Sequence, residues 1–182
     1  MKTTFYMVRH GQPDWGWAET MRFFGPCSAY MPLTPLGVEQ IEHTACDPQL
    51  RGAAFILASP YTRTMQSAQI LSRRLDLPVT VEWDLHEWLY DRDMKGDLPT
   101  PEERFGREDM TRCFFFYMEH DELTGEDNCE TAAVIAERVL GCLRRYDGQA
   151  EKIIVVCHEG VIRSVTGMKA VNLGQVVPVT LE

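Results

Sequence analysis

The chain has 182 residues, of which 45% are hydrophobic and 25% charged, with a formal net charge of −9. That length suits one compact domain with a core of its own and is short for two. The acidic balance argues against nucleic acid or an anionic membrane surface as a partner, but it leaves room for a small anion held by a focused cluster of arginine and histidine.

Short apolar runs alternate with longer helical periodicities, the pattern of α/β layers. Phe5–Val8 is a first candidate strand, too short for a signal-peptide core, and it runs directly into Arg9-His10-Gly11. Thr34-Pro35 then opens a helix as N-cap and first-turn proline, with Leu36 and Ile41 on its apolar face. Phe55–Ala58 is a second strand, stopped by Ser59-Pro60, which opens a helix running through Met65, Ala68, Ile70 and Leu71 towards Leu75. Val79–Val81, after Pro78, is a weaker strand candidate.

The stretch from about 90 to 127 leaves this alternation. It mixes Gly96, Pro99 and Pro101 with many charges, then an aromatic cluster at Phe114–Tyr117, and is expected to be a helical insertion capping one end of the sheet. Asn128 is the expected cap of a further helix, whose apolar face is Ala132, Ile135, Ala136, Val139 and Leu143 and whose last turn holds Arg144 and Arg145. Ile153–Cys157 is the clearest strand, apolar throughout as in a strand buried on both faces. A last helix follows Gly160 through Ile162 and Val165.

These elements predict a three-layer α/β/α sandwich with a mostly parallel central sheet and a small helical cap, residues 1–182 forming one domain. No apolar run approaches the roughly 20 residues of a membrane span, so the expectation is a cytoplasmic protein whose six cysteines are reduced thiols. His43 and Cys46 make one His-x-x-Cys without a second pair, so no metal site is expected there.

Three charged segments occupy equivalent places. Arg9-His10-Gly11 follows the first strand, Arg63 sits in the first turn of the helix after the second, and His158-Glu159-Gly160 follows the strongest strand. Ligands of open α/β sheets bind beyond the carboxyl ends of the strands, so these segments can converge on one crevice. The Ser59-Pro60 helix start adds unpaired backbone donors there. Two arginines, two histidines and a helix N-terminus make a phosphate cradle, because a guanidinium fork binds phosphate oxygens in bidentate fashion.

From Arg9-His10-Gly11 onward the chain resembles the histidine phosphatase superfamily, which includes the phosphoglycerate mutases. The resemblance continues through Pro32-Leu33-Thr34-Pro35-Leu36-Gly37 with Gln40, and through Ser59-Pro60-Tyr61-Thr62-Arg63-Thr64 with Ser67-Ala68. It extends to Leu85-His86-Glu87, Glu130-Thr131 with Arg138, and Val156-Cys157-His158-Glu159-Gly160-Val161-Ile162-Arg163. The ordered set covers most of the chain apart from the cap.

The resemblance implies a metal-independent phosphomonoesterase without a cofactor, acting on a small phosphorylated metabolite. It implies that His10 attacks phosphorus and becomes phosphohistidine, that His158 stabilises the charge from the other side, and that Arg9 and Arg63 clamp the oxygens. Glu87 is then the proton donor and later the base, in apolar surroundings from Trp83, Leu85 and Trp88. Gln12, Thr34 and Ser59 are candidate phosphate-pocket residues, and His86 either reaches the pocket or packs. A mutase-type phosphotransferase and a catalytically quiet domain that binds a phospho-ligand or another protein are the alternative readings.

The chain departs from the family pattern in three places. Glu159 stands where glycine is common. Gln12-Pro13-Asp14-Trp15-Gly16 replaces the usual Glu-Thr with its following Asn, and no acidic residue lies around Met31-Pro32. These departures imply an unusual substrate pocket, and the cap residues Arg104, Arg107 and Arg112 with their aromatic neighbours suit a sugar phosphate, a nucleotide or a phospho-acid alike.

Overall fold

The computed structural model describes residues 1–21, 25–89, 91–92, 109–121 and 128–181, with the backbone alone for 25–27 and 109–113. The expected cap residues Arg104 and Arg107, and the side chain of Arg112, lie outside the described residues. So does most of the 90–127 insertion, of which Asp109–Glu119 is helical.

In chain order the elements are β1 (Thr4–Arg9), α1 (Trp15–Met21), a 3-10 turn (Gly25–Tyr30), α2 (Pro35–Thr44), β2 (Ile56–Ala58), α3 (Thr62–Leu75), β3 (Val79–Val81), α4 (Asp109–Glu119), α5 (Ala132–Tyr146), β4 (Lys152–Cys157), α6 (Glu159–Thr166) and β5 (Val176–Thr180). Among the described residues the strands form one sheet in the order β3-β2-β4-β1-β5. β3, β2, β4 and β1 run parallel, and β5 pairs antiparallel with β1.

The period-two alternation of the strands divides the core between the two faces. Phe5, Met7, Leu57, Ile153, Val155 and Cys157 join Ile135, Val139 and Leu143 of α5, Val161 and Ile162 of α6 and Tyr117 of α4. Val8, Ile56, Ala58, Ile154 and Val156 join Ile41 of α2 and Ala68, Ile70 and Leu71 of α3. This is the expected three-layer architecture.

The register positions the site. Arg9 pairs with Cys157 across β1 and β4, and Ala58 pairs with Val156 across β2 and β4. His10, Ser59 and His158 therefore leave adjacent strands side by side at the carboxyl edge. Gly11 and Gly37 make this edge compact: a Cβ on Gly11 would overlap the Gly37 carbonyl, and one on Gly37 would overlap the Gln12 carbonyl. The β1 exit and the α2 start thus approach backbone to backbone.

The sequence reading needs four corrections. β5 escaped it because Pro178 interrupts the run, and Pro belongs at an edge strand, where β5 lies. α1 is a short helix whose start rests on Asp14, whose Oδ1 accepts from the Trp17 N–H at 2.8 Å. α3 begins at Thr62 rather than at Ser59-Pro60, with Tyr61 as N-cap. α5 is entered from Thr131, while Asn128 donates its amide to Asp91 at 2.7 Å instead of capping the helix. The Thr34 cap of α2 is as expected: its side chain accepts from the Gly37 N–H at 2.9 Å.

Candidate active site

The site is built around Arg63, which is 7% exposed. Its Nε donates to His10 Nε2 at 3.2 Å, its Nη2 donates to His158 Nδ1 at 3.3 Å, and its Nη1 donates to the Ser28 carbonyl at 3.0 Å. One guanidinium fork thus spans both histidines, whose ring centroids lie 5.2 Å apart in an edge-to-face arrangement. The Tyr61 ring flanks this group, 5.0 Å from the His158 centroid and 5.0 Å from the Arg63 carbon Cζ.

The partners fix both tautomers. His10 Nδ1 lies 2.7 Å from the Gly11 carbonyl, which only accepts, so Nδ1 carries the proton and Nε2 keeps its lone pair. His158 Nδ1 faces a guanidinium, which only donates, so its proton sits on Nε2 and is donated to Ser59 Oγ at 2.8 Å. Burial lowers the pKa of His10 well below the usual histidine value, and Arg63 and Arg9 lower it further against the opposing Gly11 bond. Burial does the same to His158, helped by Arg63 and His10. Both rings are neutral at neutral pH, and a neutral imidazole is the nucleophilic form.

Glu87 follows the short turn Trp83–Leu85. Burial raises its pKa, while N–H groups of Trp88 and Gly160, together with the Arg63 charge, oppose the rise. The Trp88 N–H donates to Oε1 at 3.0 Å and the Gly160 N–H to Oε2 at 3.4 Å. Gly160 leaves room for this contact, because a Cβ there would lie 2.5 Å from Glu87 Oε1 and would displace the carboxylate. A salt bridge from Arg138 to Glu130 braces the neighbouring backbone, with Nε donating to Oε1 at 2.7 Å. Arg138 also donates to the Asp84 carbonyl and Glu130 accepts from the Leu89 N–H, which holds the segment bearing Glu87 from both sides.

The other sequence candidates separate by position. Ser59 is buried against His158, and its contribution is to orient that ring. Thr34 and Gln12 bond each other, the Thr34 hydroxyl donating to Gln12 Oε1 at 2.8 Å, so they tie the exit of β1 to the start of α2. Arg9 stands beside His10, but its Nη1 is engaged by the Val171 carbonyl at 2.5 Å and by Glu159 Oε2 at 2.9 Å. His86 is buried with Nδ1 donating to the Glu87 carbonyl at 2.7 Å, which makes it a support for the acid segment.

Tyr61 and the Ser28 carbonyl were not singled out from the sequence. The first was visible only as a member of the Ser59–Thr64 segment, and the second is a backbone group with no side-chain signal. Cys157, adjacent to His158, is fully buried with its thiol pushed upward by burial, which makes it a packing residue rather than a reactive thiol.

A family model for the histidine phosphatase superfamily (branch 1) matches residues 5–172. The probable phosphoglycerate mutase GpmB of Proteus mirabilis (strain HI4320) is 33% identical over 82 residues, a stretch that covers 45% of this chain and 36% of that relative's length. The native structure of a mycobacterial glucosyl-3-phosphoglycerate phosphatase superposes with a TM-score of 0.72 at 18% identity, covering 98% of this chain and 90% of the other. A structure described as mycobacterial hydrolase 1 gives 0.71 at 18% identity, over 99% and 92% of the two chains. At those identities the structural likeness establishes the fold, and the family match over most of the chain establishes descent: this chain belongs to the histidine phosphatase superfamily.

Proposed function

We propose that this protein is a metal-independent phosphomonoesterase that hydrolyses a small phosphorylated metabolite through a phosphohistidine on His10. The observation that carries the reading is the His10–Arg63–His158 cluster. It presents an unprotonated Nε2, pinned by the Gly11 carbonyl on the opposite ring nitrogen, beside a buried guanidinium.

In the first step His10 Nε2 attacks phosphorus and the ester P–O bond breaks. Glu87 gives its proton to the departing oxygen, and its raised pKa keeps that proton available. Arg63, with Arg9 beside His10, balances the charge on the equatorial oxygens, and His158 faces them from the other side. In the second step Glu87, now a carboxylate, takes a proton from water. The water oxygen bonds to phosphorus, the N–P bond breaks, and inorganic phosphate leaves with His10 neutral again. Splitting the transfer in two lets one buried carboxyl serve as acid and then as base. Gln12, Thr34 and Ser59 complete the phosphate mouth in this reading, and the setting is cytoplasmic.

The test is hydrolysis of a chromogenic aryl phosphate in chelator by the wild type and by His10→Ala. Turnover by the wild type alone, with a phosphohistidine trapped by acid-labile labelling, supports the reading. Equal turnover by His10→Ala overturns the nucleophile, and inhibition by chelator overturns the metal-free mechanism.

The second reading is mutase-type phosphotransfer, favoured by the identity shared with the phosphoglycerate mutase relative. Phosphoryl transfer between two phosphoglycerates without release of inorganic phosphate supports that reading instead. A quiet phospho-ligand-binding domain forms no phosphohistidine at all.

A further inference from the structure

Glu159 is the first residue of α6, next to His158, and its carboxylate lies between two guanidinium groups. Oε2 is 2.9 Å from Arg9 Nη1, and Oε1 is 3.9 Å from Arg163 Nη1. The side chains of Arg9, Glu159 and Arg163 are only 22%, 20% and 11% exposed. Arg9 Nε and Arg163 Nη1 are buried without a hydrogen-bond acceptor among the described residues.

The Arg163 guanidinium also lies over the rings of Phe115 and Phe114, 5.0 and 5.8 Å from their centroids. Phe114 in turn abuts Gly160, whose N–H meets Glu87. The first turn of α6 therefore carries the Glu159 carboxylate beside the Gly160 N–H that meets Glu87, with the Phe114 and Phe115 faces against the same turn. That is the side on which a leaving group must sit if Glu87 is to protonate it.

We propose that Glu159 is a specificity-determining residue that selects esters with an uncharged, hydroxyl-bearing leaving group and rejects those carrying a second negative charge. The inference rests on the phosphatase reading of the site and deepens it to a substrate class. Glu159 offsets part of the Arg9 charge, which leaves Arg63, bonded to both histidines, as the main cation for the phosphate. A carboxylate on the leaving group meets the Glu159 carboxylate in a partly buried place, where like charges repel more strongly than in water. A polyol leaving group can instead donate a hydroxyl to the Glu159 carboxylate.

Glycerol 3-phosphate and 3-phosphoglycerate form a matched pair of probes, equal in skeleton and differing by one carboxylate. The wild type is expected to favour glycerol 3-phosphate in kcat/KM by about tenfold or more, with the ratio shrinking as salt rises. E159Q keeps the side chain's size and removes its charge, and is expected to narrow the ratio about tenfold, chiefly through a lower KM for 3-phosphoglycerate.

A structural role for Glu159 would lower both esters together and leave the ratio unmoved, and that outcome overturns the proposal. So does a wild-type preference for 3-phosphoglycerate. Slow turnover of either ester is bypassed by measuring both as competitive inhibitors of aryl phosphate hydrolysis and comparing the Ki ratio in wild type and E159Q. Absence of aryl phosphate turnover sinks the phosphatase reading, and the ratio of calorimetric Kd values for the two esters then decides on Glu159 independently.

Discussion

Arg63 donates its Nε–H to His10 Nε2, the unprotonated ring nitrogen, at 3.2 Å. The same guanidinium reaches His158 with a different nitrogen, so one side chain sets the separation and facing of both rings. The sequence places Arg63 in the first turn of α3, where a cation is disfavoured by the helix dipole unless an anion is near. Its burial there adds desolvation, which pulls its pKa below the ordinary arginine value. In the proposed function both costs are offset by the bound phosphate dianion.

Arg63→Lys tests this. The ammonium keeps the charge but cannot span two rings and a phosphate edge at once. We expect kcat/KM for aryl phosphate to fall by about 10²-fold, with vanadate inhibition weakened in parallel. A loss under threefold would remove Arg63 from the phosphate clamp.

The raised pKa of Glu87 and the lowered pKa of His10 predict the shape of the pH–rate profile. The proposed attack needs His10 neutral and Glu87 protonated, so kcat/KM is expected to fall at low pH as His10 gains a proton and again as pH rises through the elevated Glu87 pKa. Glu87→Gln is expected to abolish the alkaline limb. Its rate loss should be about 10²-fold for an alkyl phosphate and under about tenfold for nitrophenyl phosphate, whose leaving group needs no proton. Equal losses for both would move the proton donor to another residue.

Much of the site was legible because its residues lie where local rules speak loudly. A strand ending in Arg9-His10-Gly11, a Thr34-Pro35 helix start and the apolar run into His158 each declare their position in the fold. The parallel register of β1, β2 and β4 then brings His10, Ser59 and His158 to one edge. What escaped was set by tertiary pairing. β5 reads poorly because Pro178 weakens its pattern, yet antiparallel pairing with β1 holds it. The engagement of Arg9 by Val171 and Glu159 depends on where α6 and the loop beyond it pack, which local sequence does not encode. The Arg163 contact with Phe114 and Phe115 joins residues about 50 positions apart and had no local signal.

The buried neutral histidines also predict how stability depends on pH. His10 has a folded pKa well below its unfolded value near 6.5, so between the two values the unfolded chain binds more protons. Stability therefore rises with pH through that window and is lost as pH falls below about 6.5. His158 acts in the same direction. Glu87, with a raised pKa, acts oppositely: its contribution is present at low pH and lost as pH rises through its folded value. Urea unfolding from pH 7 to 5 should show His10→Gln with a shallower acid loss, by up to about 1.4 kcal/mol per pH unit. Parallel slopes for wild type and variant would mean that His10 takes up its proton as readily in the folded protein as in the unfolded chain.

Gly160→Ala separates stability from catalysis at a single methyl group. Gly160 lies in the first turn of α6 with an ordinary negative φ, so alanine strains no backbone and improves helix propensity by up to about 1 kcal/mol. Its Cβ, however, would stand 2.5 Å from Glu87 Oε1 and 2.8 Å from Phe114 Cε2. The carboxylate and the ring must both shift, and the Gly160 N–H loses its aim at Glu87 Oε2. Misplacing an acid by about 1 Å costs on the order of 10²-fold in rate. The expected variant keeps a thermal midpoint close to wild type and forms phosphohistidine with an aryl phosphate, where protonation matters little. It should turn over alkyl phosphates about 10²-fold more slowly. Wild-type rates on alkyl phosphates would show that Glu87 tolerates displacement and does not transfer the proton. A large fall in midpoint with proportionate loss on every substrate would show instead that Gly160 serves packing alone.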